Sequence, residues 1–254
     1  MAFTLVAYDE TIDSAVLQAL TPLPSAIDRV SGDAVLVPRG LNKLGGCYAF
    51  GVNLVRARIV APSLGAFGSF ELNPIDIAAN PPTYPAFLDL FDNPYELVAT
   101  EFVTVEASEN GAGATKQDAL LWYTDGVIEK PAGEVITVRA TSATALVANT
   151  WSNVPIVFAV NLPAGRFACV GARCESATGL AFRFVPSESG GKARPGGICA
   201  SASNEVMPKR FRNGNLGTWF EFDNDTPPTI DIWASGADAT QVVILDLVYL
   251  GASA

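Results

Sequence analysis

The sequence contains no histidine. That single absence removes Ser-His-Asp and Cys-His catalysis in their usual forms, together with every zinc site that needs an imidazole. Cysteine is scarce too: Cys47, Cys169, Cys174 and Cys199 form no CxxC pair. An all-cysteine zinc site would lack its usual knuckles, so buried free thiols are expected. Charged residues make up 17% of the chain, against about 25% in an ordinary soluble protein. That shortfall fits a surface covered by neighbours, and it equally fits broad sandwich faces dressed with Ser and Thr. No apolar run approaches the roughly 18 residues of a spanning helix. Met1-Ala2-Phe3-Thr4-Leu5 has no basic segment and is soon followed by Asp9 and Glu10, so no secretory leader and synthesis in the cytoplasm are expected. Lys and Arg total 16 against 26 acidic residues, a net charge of −10. Nucleic-acid binding, which needs clustered cations to displace counterions from phosphate, is not expected.

What is present is apolar and strand-like. Hydrophobic residues reach 49% of 254, enough for one large core or two ordinary ones. Asp9 to Leu20 reads as a short N-terminal helix that Thr11 or Asp13 caps and Pro22 and Pro24 stop. Beyond it, short runs rich in Val, Ile, Phe, Tyr and Thr predict strands at 35–37, 49–60, 95–107, 119–123 and 135–140. Similar runs follow at 156–162, 167–173, 180–185, 229–234 and 242–250. Turn-forming clusters separate them: Asn80-Pro81-Pro82, Asn110-Gly111, Ser189-Gly190-Gly191, Asn213-Gly214-Asn215 and Thr226-Pro227-Pro228. Such spacing with almost no helical period indicates an all-β sandwich or barrel.

Two short patterns recur in the same order. Val55-x-Ala57-Arg58 with Ala66-Phe67 returns as Val170-x-Ala172-Arg173 with Ala181-Phe182, an offset of 115. Gly111-Ala112-x-Ala114-Thr115 with Gly126 returns as Gly236-Ala237-x-Ala239-Thr240 with Gly251, an offset of 125. A tandem duplication explains both, with a first β-domain over 1–126, including the N-terminal arm, and a second over 127–254. Pro131-Ala132-Gly133 would open the second half. Separate barrels and one larger sandwich both satisfy the strand count. A true duplication of barrels requires 55–67 and 170–182 to occupy equivalent places.

Candidate chemistry is thin. Glu101 with Glu106, or Asp223 with Asp225, are the carboxylate pairs that glycosidase chemistry would use. Acidic residues are numerous, however, and mostly serve turns or solvated faces. Ser189-Gly190-Gly191-Lys192-Ala193 resembles a phosphate loop but puts Ala193 where a hydroxyl is required. Asp223-Asn224-Asp225 offers oxygen ligands for a hard cation without the remaining ligand spacing, and Thr226-Pro227-Pro228 makes a turn the simpler reading. Lys209-Arg210-Phe211-Arg212 is the densest basic stretch, suited to an acidic neighbour or lipid headgroups, or to a solvated loop. Trp122, Trp151, Trp219 and Trp233 read as core or interface aromatics rather than a sugar-stacking platform. No catalytic, cofactor or metal residue is assigned, and the chain is expected not to be an enzyme.

Taken together, the length, the strand-rich halves, the repeat and the short N-terminal helix resemble the double jelly-roll major capsid proteins of icosahedral, internal-membrane bacteriophages, the tectivirus and corticovirus kind. The resemblance is architectural and spans the whole chain, with no motif matched residue by residue. It implies two tandem jelly rolls, a homotrimer with pseudo-hexameric outline, and assembly of trimers into an icosahedral shell in the virion. Further partners implied are penton or minor capsid proteins and an internal lipid membrane. The rival reading is a trimeric β-sandwich that binds carbohydrate or a receptor, lectin-like or a minor virion protein.

Overall fold

The computed structural model describes residues 2–24, 29–64, 69–72, 74–76, 87–187, 193–200 and 209–252. They form two compact units, Leu5–Gly126 and Val127–Ala254, the latter joined by Met1–Thr4.

The first unit uses β1 (Phe3–Ile12), β2 (Gln18–Ala19), β3 (Thr21–Pro22), β4 (Val30–Ser31), β5 (Ala34–Leu36), β6 (Lys43–Gly51) and β7 (Leu54–Val60). It continues with β8 (Ser69–Leu72), β9 (Pro74–Asp76), β10 (Leu88–Asp89), β11 (Tyr95–Glu96), β12 (Phe102–Glu109) and β13 (Thr115–Thr124). The second unit contains β14 (Val135–Ser142), β15 (Trp151–Pro155), β16 (Val157–Phe158), β17 (Arg166–Glu175) and β18 (Gly179–Val185). It ends with β19 (Gly196–Ile198), β20 (Phe220–Asp223), β21 (Thr229–Ala234) and β22 (Gln241–Gly251). One 3-10 turn, Lys209–Phe211, precedes β20.

The expected N-terminal helix is absent. Thr4, Val6, Thr11 and Ile12 are β-branched and suit a pleated strand, and β1 is hydrogen-bonded between β13 and β3. Phe3 through Tyr8 are buried without a break, as a strand covered on both faces requires. Capping also fails locally: the Ser14 carbonyl accepts from the Glu109 amide at 3.0 Å, so the backbone joins the sheet. Pro22 sits on the edge strand β3, where a missing donor costs nothing.

The two units share one strand order. In the first, the sheets run β3-β1-β13-β6-β10 and β4-β5-β12-β7-β8. In the second they run β16-β14-β22-β17-β20 and β15-β21-β18-β19. Thus β1, β5, β6, β7, β8, β10, β12 and β13 correspond in turn to β14, β15, β17, β18, β19, β20, β21 and β22. Numbered in chain order, each set of eight pairs as 1-8-3-6 and 2-7-4-5.

This correspondence corrects the repeat. Val55 to Arg58 lie on β7, whereas Val170 to Arg173 lie on β17, the counterpart of β6. That pattern is a coincidence of common residues: 55–60 and 170–175 occupy non-equivalent strands, so the test set by the repeat fails and the likeness of the two units rests on strand order, not on this pattern; Ala66 and Phe67 fall outside the described residues. The other pattern does match: Gly111 lies in the β12–β13 connection and Gly236 in the β21–β22 connection. The predicted strand at 49–60 is two strands, because Val52-Asn53 turns the chain with Asn53 at φ 61°. The predicted strand at 156–162 shrinks to β16, while β15 before it went unpredicted.

Alternation builds the cores. On β12, Val103, Val105 and Ala107 are buried, while Phe102, Thr104 and Glu106 are partly or fully exposed. The Tyr8 hydroxyl donates to the Val103 carbonyl at 3.1 Å, tying one sheet of the first unit to the other. In the second unit Phe182, Phe184, Ile230, Ile232 and Val154 are fully buried. Gly196 allows β19 to approach β18, since a Cβ there would stand 1.9 Å from the Phe182 carbonyl oxygen.

Candidate functional site

The carboxylates singled out as catalytic pairs serve structure. Glu101 accepts from the amides of Ser63 at 2.9 Å and Val98 at 2.8 Å, and also from the Ser63 hydroxyl, fixing the turn before β12. Glu106 takes the Nε of Arg58 at 2.6 Å. Arg58 stands opposite Glu71 in the β7–β8 register, and Glu71 pairs with Arg56. These residues make a ladder of alternating charge on a half-exposed face, worth little per pair. Asp223 ends β20 and its carbonyl accepts from the Thr226 amide at 2.9 Å, which makes the expected turn. Asp225 accepts from the Asn224 side chain at 2.7 Å, whose own Oδ1 takes the Gly165 amide. No cluster of acidic and thiol groups able to hold a metal occurs among the described residues. Of the phosphate-loop-like segment, Ser189 to Lys192 lie outside the described residues.

The tryptophans face inward or pack on neighbours. Trp122 is fully buried against Phe87, centroids 5.0 Å apart. Trp219 meets Phe3 edge-on at 5.1 Å, and Trp233 packs with Trp151 at 6.3 Å. The Arg183 guanidinium lies 4.1 Å from the Trp151 ring centre. Arg183 and Arg194 both reach Asp231 Oδ2, at 3.1 and 2.7 Å, and Asn153 donates to Oδ1 at 2.7 Å. This is a buried polar network bracing β15, β18 and β21, with no sugar platform in it.

Part of the basic stretch is used inside the fold, while Lys209 is exposed. Phe211 is fully buried, and Arg212 forks onto Asp246 of β22, Nε to Oδ2 at 2.7 Å and Nη2 to Oδ1 at 2.9 Å. Asp246 also accepts the Asn213 amide at 2.8 Å and the Thr137 hydroxyl at 3.0 Å. Burial pushes this carboxyl up, but Arg212 and the two further donors outweigh it and hold it below the ordinary carboxylate range. The anchored loop lies over β17: the Gly214 amide donates to Val170 and the Trp219 amide to Cys169, both at 2.8 Å. Gly171 makes room for it, since a Cβ there would stand 2.8 Å from the Arg212 Cα. The sequence left Arg212 to an acidic neighbour, lipid headgroups or a solvated loop; the buried acceptor that claims it was hidden in the apolar run of β22.

Several large apolar side chains are also exposed. In the second unit Val135 and Ile136 at the start of β14 are 43% and 42% exposed, and Tyr249 and Leu250 at the end of β22 are 44% and 40% exposed. The register Val135 to Val248 puts them at one end of one sheet. Val157 on edge strand β16 is 67% exposed. In the first unit Val55, Val98, Tyr95 and Phe102 are likewise in contact with solvent. Apolar groups gathered at a sheet end and on a sheet edge mark contact surfaces. A depression lined by Phe158, Val160, Asn161, Leu162 and Asn224 has no carboxylate or cation among these lining residues. These exposed apolar groups are the feature left as a candidate site.

No family model matches the chain, and no curated protein matches it. Among solved structures, the major capsid protein P2 of bacteriophage PM2 is similar over 98% of both chains, at 10% identity and a TM-score of 0.25. A score of that size marks a loose superposition and adds no weight to the strand order described above.

Proposed function

We propose that this chain is a non-catalytic capsid subunit, two jelly rolls in tandem that trimerise into a pseudo-hexameric tile of a virion shell. The observation that carries the reading is the shared strand order: sheets pairing as 1-8-3-6 and 2-7-4-5 in both units follow the eight-stranded, two-sheet jelly roll. A tile with six similar corners needs only three chains when each supplies two such units, and a closed cyclic trimer leaves edges for further symmetric contacts. Divergence between the units lets each meet a different neighbour. The exposed Val135, Ile136, Tyr249 and Leu250 and the low charge content are in keeping with surfaces that neighbours cover. Minor shell proteins and an enclosed lipid membrane are the further partners of this reading.

Light scattering on the purified protein, followed by electron microscopy of the same sample, tests it. A stable trimer with hexagonal outline, or sheets and shells built from it, is the expected result. A monomer that persists at every concentration overturns it and directs attention to glycan binding.

A further inference from the structure

Two of the four thiols stand side by side. Cys174 lies on β17, and Cys199 follows β19 by one residue. Just beyond them, Glu175 and Ala200 form an isolated parallel bridge. The Ala200 amide donates to the Cys174 carbonyl and the Ser176 amide to the Ala200 carbonyl, both at 2.9 Å. Neighbouring strands run about 4.8 Å apart, inside the Cα separation of about 4.4–6.8 Å that a disulfide spans. The two thiols are also close enough to influence each other's ionisation. Both cysteines are buried. Cys199 is enclosed further by Gly179, where a Cβ would stand 3.1 Å from its sulfur. Cys47 and Cys169 have no such neighbour among the described residues: Cys169 turns its thiol to the Gly171 carbonyl.

We propose that Cys174 and Cys199 are a latent redox staple that closes to a disulfide under oxidising conditions, fixing β17 to the segment after β19. These strands belong to different sheets of the second unit, so the bond joins the two layers of one jelly roll. The oxidant is a low-molecular-weight disulfide of the glutathione class. One protein thiolate attacks it, forms a mixed disulfide and releases one reagent thiolate. The second protein thiolate then attacks the mixed disulfide at the protein sulfur and releases the other. Two protein S–H bonds and one reagent S–S bond are exchanged for one protein S–S and two reagent thiols. The protein loses two electrons and the reagent gains them. Burial, the adjacent Cys174 and the Asp238 carboxylate all push the Cys199 thiol up. Because the thiolate is the nucleophile, closure is slow at neutral pH and quickens as pH rises. A protein made in a reducing cytoplasm would thus remain open there and close after release.

The full chain, unassembled, is incubated with oxidised glutathione, quenched by alkylation in denaturant and mapped under non-reducing conditions. A cross-linked peptide pair containing Cys174 and Cys199 is expected, with titratable thiols falling from the four of the sequence to the Cys47 and Cys169 pair. The thermal midpoint should rise by roughly 5 °C and return on reduction. Cys174→Ser and Cys199→Ser should each lose both the cross-link and the rise. Four persistent thiols in the wild-type chain, only glutathione adducts, or a bridge involving Cys47 or Cys169 would each overturn the proposal without need of any variant. Because the readout is taken on single chains, its outcome is independent of whether trimers form.

Discussion

Strands β13 and β22 hold the same place in their units, yet each buries an aspartate under opposite conditions. Asp246 of β22 is fully buried and has four hydrogen bonds from Arg212, Asn213 and Thr137. Asp118 of β13 is 5% exposed, and its Oδ1 has no partner among the described residues. Burial, then the nearby Asp9 carboxylate, push the Asp118 carboxyl well up, against the weaker pull of Lys116. The difference begins with the residue across the ladder. Asp246 stands opposite Gly171, and the missing side chain lets the 209–219 loop descend and deliver its donors. Asp118 stands opposite Phe50. The two aspartates stand at different steps of corresponding strands, and only the one that faces a glycine receives a loop's donors.

Removing the satisfied carboxylate is expected to have the largest effect. Asp246→Ala strands the partly buried Arg212 and the Asn213 amide, and breaking such a buried pair costs about 3–5 kcal/mol. Chemical denaturation should show the loss, accompanied by faster proteolysis within 209–219 as the loop comes free. The pH dependence has a definite sign. The folded carboxyl lies below its unfolded value of about 3.9, so its contribution is present above that value. It disappears as pH falls through the depressed folded value. Asp246→Asn should therefore flatten the acid limb of the stability curve.

The opposite sign is expected at Asp118. Here the folded state holds its proton above the unfolded value, so stability falls as pH rises from about 4 through the raised folded value. Asp118→Asn removes that penalty and should gain about 1 kcal/mol at neutral pH, with no gain at pH 3. A loss at pH 7 would mean that the carboxylate is held by an interaction stronger than its desolvation.

How much of this was legible in the sequence differs between the same two strands. The strand at β21 could be read to the residue, and β18 and β22 nearly so, because Val, Ile and Phe runs bounded by Gly and Pro leave no other reading. The β1 segment could not, since Asp9 to Leu20 contains helix formers and capping residues, and only pairing with β13 and β3 overrules them. The all-β class followed from local chemistry. The true correspondence of the halves depends on sheet order, which short identities reflect poorly: Gly111 and Gly236 marked equivalent turns, while Val55 and Val170 did not. Arg212 and Asp246 were individually visible, but their meeting needs Gly171, 41 positions before Arg212, and no spacing rule connects them. The exposed apolar residues are set apart from core ones only by register.

The smallest effect concerns two corresponding connections, each of which carries the chain from one sheet of its unit to the other. In the first unit β6 passes to β7 through Val52-Asn53, with Asn53 in the left-handed region at φ 61°. In the second, β17 passes to β18 through Ser176-Ala177-Thr178, pinned by Asp238, which accepts the Ser176 hydroxyl at 2.6 Å and the Ala177 amide at 2.9 Å. The first turn combines a left-handed residue with donors from Thr115 and Gln117 to the Val52 carbonyl, both at 2.8 Å, whereas the second is pinned by one carboxylate without a left-handed residue. Asn tolerates the left-handed region better than most residues, and Gly better still. Asn53→Ala should thus cost about 1 kcal/mol and Asn53→Gly should be neutral or slightly stabilising, read as shifts in thermal midpoint. At Ala177, which has no left-handed backbone, Ala177→Gly should instead destabilise by several tenths of a kcal/mol through unfolded-chain entropy alone. Equal responses at the two turns would mean that the corresponding connections are held by the same means.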